Sequence, residues 1–448
     1  MSDVPVGTSA SPGVLSRTFR SLHTRNYRLW FVGQTVSQCG TWMQTLALPW
    51  LVYRVLTHSA FDLGITSGLL FAPVLAFGAI GGLVADRVDK RKVLLATQAA
   101  FTAQSVALWL VVASGHAGLS IVWALALVYG FINVFDNPSR QSFVVEMVGA
   151  DDLTNAVGLN SVIVNASRIV GPAAAGLVLA LSGGDRAGVT AACARIFLIN
   201  AVSFAAVLGA LAAMRPAELH RRTPVGRAKG QIRAGLRYAW GMWELRVPLV
   251  MMAVIGTLAY NFSVLLPLLA ADVFGRGGGT AGALITAMGV GALAGGLAIA
   301  SRRRPGYRQL VAVTIAFGCF ILAVAAAPTL SVALVLLVPM GAASIGFIAT
   351  ANSLLQLSSA PAMRGRVMAL WAMVFLGSTP IGAPLIGWIA GQFGARVALA
   401  LGGVATLAVG AWAGLALRRI RDELRAERAA LPPDPGESAL EETLGSGH

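Results

Sequence analysis

Charge is scarce in this sequence. Only 12% of its 448 residues are Asp, Glu, Lys or Arg, against about a quarter in an ordinary soluble chain. That shortage, with a mean hydropathy of +0.73, excludes a soluble globular domain. Cysteine is scarce too. Cys39, Cys193 and Cys319 lie far apart in apolar surroundings, so they form neither a metal pattern nor a disulfide framework and are expected as reduced, packed thiols. The five histidines, His23, His58, His116, His220 and His448, all fall in loops or tails, and no Asp, Glu or His is placed mid-way along an apolar run. There is no Gly-rich loop ending in Lys and Ser/Thr, which argues against ATP hydrolysis. No catalytic constellation and no cofactor pattern is present, so the chain does not read as an enzyme. The N-terminal MSDVPVGTSASPGVLSRTFRSLHTRNYR has no apolar core of the kind a cleaved signal peptide needs.

What the sequence has is apolar length. A bilayer core takes about 20 apolar residues as a helix. Twelve such runs are expected near 29–55, 61–85, 92–114, 118–138, 152–180, 190–213, 246–273, 280–301, 309–327, 330–358, 366–390 and 395–418; they are called spans 1 to 12 below. The fold class is therefore all-α, a polytopic membrane protein. The longest polar interruption, 214–245, divides six spans from six. The expected organisation is an N-terminal segment 1–28, a six-helix bundle 29–213, a central loop 214–245, a second bundle 246–418 and a tail 419–448 that is largely disordered, from about Leu431 onward. The stretch GQIRAGLRYAWGMWELR before span 7 suits an amphipathic helix on a membrane surface.

The net charge of +15 could suggest nucleic acid, but its placement argues for topology instead. With this span order, one side of the membrane holds 28 of the 34 Lys and Arg, the other holds 5 (Arg54, Arg186, Arg195, Arg276, Arg396), and Arg168 falls within a span. The positive-inside rule makes the rich side cytoplasmic, with both termini inside and the chain in the inner or plasma membrane. The partners expected are membrane lipid and a small-molecule substrate, with no nucleic acid, and the chain is expected as a monomer. A basic patch for anionic headgroups is the lesser reading of the same charge.

The halves resemble each other. GGLVADR at 81 aligns with GGLAIAS at 295, YGFIN at 129 with IGFIA at 345, and LALPWL at 46 with VLLPLL at 264. Repeated six-helix halves are an architecture of secondary transporters. Between spans 2 and 3 lies GGLVADRVDKRK, the densest charge cluster, in which Lys90, Arg91 and Lys92 suit the positive-inside bias. Polar side chains within spans need partners or a cavity. Gln34, Ser37, Gln38, Thr41 and Thr45 share one face of span 1, and Ser161, Asn165, Arg168 and Pro172 share one face of span 5. Span 7 offers Thr257 and Asn261; span 10 offers Asn352 and Gln356. Interhelical hydrogen bonding is the plain alternative for each of these. Arg168 stands out, because an arginine at the bilayer centre costs at least ~3 kcal/mol. Substrate recognition and a structural strut are both open for it. Asp62, in Ser59-Ala60-Phe61-Asp62, reads as part of a helix cap.

Gly82-Leu83-Val84-Ala85-Asp86-Arg87-Val88-Asp89-Lys90-Arg91-Lys92 resembles the signature of the major facilitator superfamily, roughly G-x-L-A-D-R-x-G-R-[KR], with Asp89 in place of the second Gly. FDNPSRQSFVVEMV and LTNAVGLNSVIVNASRIVGPAAAG resemble the exporter branch that contains enterobactin and macrolide exporters. The resemblance implies the major facilitator fold, two pseudo-symmetric bundles, and a central cavity lined by spans 1, 4, 7 and 10. It implies a gating role for Gly82, Asp86, Arg87, Arg91, Asp136 and Arg140. In that scheme Asp86 meets the start of span 11, and Arg87 or Arg91 pairs with an acid on span 4, for which Asp136 is the candidate. A local Asp136–Arg140 pair at i,i+4 explains those two residues equally well. Gln34, Gln38, Thr41, Asn165, Arg168, Asn261, Asn352 and Gln356 are the candidate substrate contacts. Gly171, Pro172 and Gly176 are similar to the Gly-Pro element of antiporters, with Ala175 replacing one Gly, and an ordinary kinked helix is the alternative. The expectation is a secondary active exporter of an amphipathic small molecule, drug-, macrolide- or siderophore-like, coupled to protons. The rivals are an importer or lipid-moving relative and a non-transporting scaffold or sensor.

Overall fold

The structure is a computed structural model and describes residues 19–149, 152–220, 231–300 and 306–430. Most of SRRRPGYR, part of the central loop and the tail from Leu431 lie outside the described residues. No strand occurs among those described. Span 1 is Arg25–Leu51, prolonged by a π-helical turn Val52–Thr57. Span 2 is built of Ala60–Leu69 and Ala72–Arg87. It breaks just before Pro73, which has no N–H to continue the helix. Spans 3 to 6 are Lys90–Ala113, Leu119–Met147, Leu153–Ala180 and Arg186–Ala213. Span 7 is the most interrupted: Trp243–Leu258, a non-helical Ala259–Asn261, then Phe262–Leu268 and a π-helical turn Leu269–Val273. Spans 8 to 12 are Gly278–Ala300, Tyr307–Ala325, Leu330–Ser358, Pro361–Phe393 and Ala395–Ala430.

Eleven of these twelve are long and apolar enough to cross a membrane on length and composition alone. Span 1 falls short because its polar residues dilute it, yet it packs against spans 5 and 6 as the twelfth. The expected amphipathic stretch forms the helix Gln231–Gly241. It docks on the start of span 11, where Gly235 meets Arg366 and the Tyr238 hydroxyl accepts the Ala360 N–H at 3.1 Å.

The two six-helix bundles repeat their packing. In the first, a Cβ on Gly81 would lie 1.8 Å from the Val134 carbonyl oxygen, so spans 2 and 4 touch backbone to backbone. In the second, Gly291 stands in the same relation to Val338, at 1.8 Å, between spans 8 and 10. Only glycine permits such approaches. The bundle interiors differ chemically. The first holds a buried amide network across spans 1, 3 and 6. Asn200 donates to the Gln44 Oε1 at 2.8 Å, Ser105 donates to the same atom at 3.1 Å, and Gln44 donates to Gln104 at 3.4 Å. In the second, buried hydroxyls such as Thr314 and Thr406 bond their own helices, to Leu310 and Gly402 carbonyls.

The halves meet along spans 2 and 11 and along spans 5 and 8. The contacts lie away from the end that carries the 214–242 connection, here called the basic end. A Cβ on Gly64 would lie 2.4 Å from the Ala383 carbonyl oxygen, one on Gly387 would lie 2.5 Å from the Ala60 carbonyl, and one on Gly282 would lie 2.6 Å from that of Pro172. This interface runs from the far end down to Gly289, which faces the Arg168 carbonyl, and to Gly377, which faces Leu75. Nearer the basic end the same faces are open: Gly158 and Gly296 have nothing within 4 Å of a built Cβ, and Val162 and Leu297 are exposed. The molecule is closed at the far end and parted at the basic end.

Candidate functional site in the central cleft and the charged turn

The turn between spans 2 and 3 is short because Asp89 caps it. Its carboxylate accepts the Lys92 N–H at 3.2 Å and starts span 3. That gives the departure from the superfamily signature a physical reason: an N-cap replaces a glycine turn. Gly82 and Asp86 are half-buried on the last turns of span 2, and Arg87 is exposed. The pairing expected of Arg91 is not the one observed. Its guanidinium donates to the Leu211 carbonyl at 2.8 Å and the Ala212 carbonyl at 3.3 Å, satisfying the C-terminus of span 6. The ion pair from this turn to span 4 is instead Lys90 with Glu146, at 2.6 Å. The reason is helix length. Span 4 continues to Met147 rather than ending near 138, so Glu146, and not Asp136, stands level with the turn.

Asp136 is 3% exposed inside the first bundle. Thr97 donates to its Oδ1 at 2.9 Å, Gln98 donates to the same atom at 2.8 Å, and Arg140 pairs with its Oδ2 at 3.4 Å. Of the two readings left open by sequence, the local Asp136–Arg140 pair is the one present. Arg140 also donates to Asn137 at 2.6 Å.

Arg168 lies on span 5 where the inter-half interface ends. Its guanidinium carbon sits 5.1 Å from the centroid of the Trp42 ring on span 1, a cation–π geometry. Its Nε is buried without a hydrogen-bond partner. An electrostatic neighbour from the other half is Tyr260, in the non-helical break of span 7. The Tyr260 hydroxyl donates to the Ser344 carbonyl at 2.8 Å and accepts from the Ser344 hydroxyl at 3.0 Å. Gln38 and Thr41 are half-buried on the same span as Trp42. Asn165 is half-buried and donates to the Ser161 carbonyl one turn back, at 2.8 Å. On span 10, Gln356 donates to Asn352 at 2.5 Å, so these two join into one polar patch. Gln34 is 4% exposed and Asn261 is 0% exposed. In this conformation neither reaches the cleft. Asn261 is enclosed because it closes the span-7 break, donating to the Thr257 carbonyl at 2.8 Å.

The Gly-Pro element takes part in two packings. A Cβ on Gly171 would lie 2.4 Å from Cβ of Trp42, within the first half, whereas Gly176 faces Gly282 of the second half. The helix passes through Pro172 unbroken. Sequence reading missed Trp42 and Tyr260. Both had a signal: Trp42 is one turn after Gln38, and Tyr260 adjoins Asn261.

A family described as transmembrane secretion effectors matches residues 16–446. The chain belongs to that family. The family is a branch of the major facilitator superfamily, and solved transporter structures share its fold. A POT family transporter superposes with a TM-score of 0.71 at 10% identity, covering 90% of this chain and 99% of that one. A bacterial homologue of the human lysosomal transporter Spinster, inward-facing and unoccupied, gives 0.63 at 16% identity, covering 91% and 96%. By sequence the chain is 26% identical over 418 residues to the enterobactin exporter EntS of Escherichia coli, covering 88% of this chain and 92% of that one. It is 29% identical over 143 residues to the staphyloferrin A transporter of Staphylococcus aureus, a match that spans 32% of this chain and 36% of that one. The chain is therefore a multi-pass membrane transporter and not an enzyme.

Proposed function

We propose that this transporter exports an amphipathic small molecule with an anionic group from the cytoplasm, by alternating access and in exchange for protons. Arg168 carries the proposal. It is a cation in the middle of a span, its Nε is unpartnered, and Trp42 presents an aromatic face beside it at the border of the two halves. A guanidinium recognises a carboxylate or similar anion bidentately, and Trp42 suits a flat apolar part of the same molecule. Gln38, Thr41, Asn165 and the Asn352–Gln356 patch supply further hydrogen-bonding groups, and Gly82, Asp86, Arg87 and Arg140 serve the switch between states. Direction is supported by the exporter activity named for the Escherichia coli relative. Sidedness is supported by the 28-to-5 distribution of Lys and Arg, which makes the basic end cytoplasmic. The parted end then faces the substrate supply. The element Gly171, Pro172 and Gly176 favours antiport. The carrier of the coupling proton is not assigned.

The test is transport by Arg168→Lys and Arg168→Ala in proteoliposomes, with thermal melting alongside. Lys keeps the charge but loses the planar fork, so apparent affinity falls about tenfold. Ala abolishes export while the protein stays folded. A stable, fully active Arg168→Ala protein overturns the proposal. A destabilised Ala variant that still transports makes Arg168 a strut.

A further inference from the structure

We propose that Tyr53 and Asp272 form the outer gate of the transport cycle, the contact that holds the far end shut while the basic end is open. This rests on the alternating-access reading but needs neither its direction nor its substrate. Spans 1 and 7 are equivalents in the two halves, and both end in a π-helical turn at the far end, Val52–Thr57 and Leu269–Val273. Isolated π turns displace side chains from α-helical register and concentrate at functional positions. Here the displaced side chains meet. The Tyr53 hydroxyl donates to the Asp272 Oδ1 at 2.5 Å, joining the first half to the second.

The surroundings make this a gate and not an incidental surface contact. Tyr53 is 8% exposed and its bond to Asp272 is partly buried, so its ring is packed. Its ring lies 6.2 Å from that of His58, whose left-handed backbone (φ 56°) ends the turn. One turn before it, Trp50 packs against Gly278 of the other half: a Cβ there would lie 3.0 Å from the indole nitrogen and 2.7 Å from Leu179. Arg54 sits over the Trp50 ring at 5.8 Å. The apolar part of the seal therefore comes from Trp50 and Leu179 on Gly278, and the directional part from Tyr53 on Asp272. A side-chain bond at this position must break when the far end opens, whereas the helix-to-helix contacts within each half persist. Among the described residues, a second side-chain bond between the halves in the closed region, Thr286 to the Ile169 carbonyl at 3.4 Å, is deeper and longer. Tyr53–Asp272 is thus the outermost directional tie.

The test is cysteine accessibility without substrate or gradient. Cys39, Cys193 and Cys319 are first replaced by alanine. Ala60→Cys, buried at the far end of span 2 against Gly387 and Gly391 of the other half, reports far-end opening. Ser161→Cys, exposed on span 5 near the basic end, reports basic-end closing. Tyr53→Phe and Asp272→Asn are each expected to raise labelling of the Ala60 reporter by a membrane-impermeant maleimide from the far side, roughly three- to tenfold. Labelling of the Ser161 reporter should fall in the same variants. The double variant adds little to either single, because the two residues act through one bond. Asp272→Glu, which keeps the acceptor, stays closer to wild type than Asp272→Asn and shows that the fold survives change at this position. Unchanged far-end labelling in both single variants overturns the proposal. So does a rise at Ala60 with no fall at Ser161, which would mean local loosening and not a shift between states. If Arg168→Ala exports normally while these reporters move as expected, the gate stands and the substrate reading falls.

Discussion

Lys90→Met should destabilise the first bundle, although Lys90 lies in a turn whose charge reads at first as topology alone. The pair with Glu146 has an N–O distance of 2.6 Å, and the two side chains are 13% and 8% exposed. At an effective dielectric of about 20, the gross attraction at that distance is about 6 kcal/mol. Removing both ions from water offsets most of this, so the intact pair contributes little net stability. Removing Lys90 alone is different, because it strands a nearly buried carboxylate. Such losses cost about 3–5 kcal/mol when burial is complete. Because water still touches both ends, about 2–4 kcal/mol is the expected figure. In a melting experiment on the detergent-solubilised protein this is a fall of about 5 °C. The double variant Lys90→Met, Glu146→Leu should recover most of the loss, since neither charge is then stranded. A Lys90→Met protein melting within about 1 °C of wild type would refute the reasoning. It would mean that Glu146 finds water or another cation as readily as it finds Lys90.

Three further outcomes are expected. Gly282→Ala places a methyl 2.6 Å from the Pro172 carbonyl; a backbone atom cannot rotate away, so about 1–3 kcal/mol of strain falls on the closed far end, and spin-label distances across that end should lengthen. Asp86→Asn should leave expression and insertion intact but slow transport in proteoliposomes severely, since its assigned role is in switching; normal transport would remove Asp86 from the gate. Arg237→Cys, exposed on the helix Gln231–Gly241, should react with an impermeant reagent in inverted vesicles and not in intact cells, and labelling from outside would reverse the topology.

The architecture was legible because a bilayer imposes a length and a polarity on every span. Twelve runs and the amphipathic stretch before span 7 follow from that constraint. What was not legible depends on where helices end and on which side chains meet across the fold. Span 4 carries charged residues in its last turns, so composition ended it near 138, whereas packing carries it to Met147. That one error misassigned the acid that meets the charged turn. The break at Tyr260 left no composition signal, since the prolines of span 7, Pro248 and Pro267, lie elsewhere in helix. The glutamine stripe of span 1 showed that polar residues were gathered on a helix, but not that Gln44, outside that stripe, would find Asn200, 156 residues away. Trp42 was hidden by its own ordinariness, as one aromatic among many in an apolar chain.

The amide network in the first bundle has a consequence for how this protein tolerates change. Hydrogen bonds are directional, and Gln44, Gln104, Ser105 and Asn200 satisfy one another across three helices. A slip of one residue along any of spans 1, 3 and 6 would strand several amides in an apolar interior. Among the described residues the second bundle shows no comparable amide network; its helices are tied by isolated pairs such as Tyr260–Ser344 and by steric fit, with Gly341 seated against the Met288 carbonyl and Gly295 against Ala342. The two bundles are therefore stiff for different reasons. Substitutions of equal size should harm the first half through lost partners and the second through lost fit. The first half should accept changes of volume near its network more readily than changes of hydrogen-bonding capacity, and the second half the reverse.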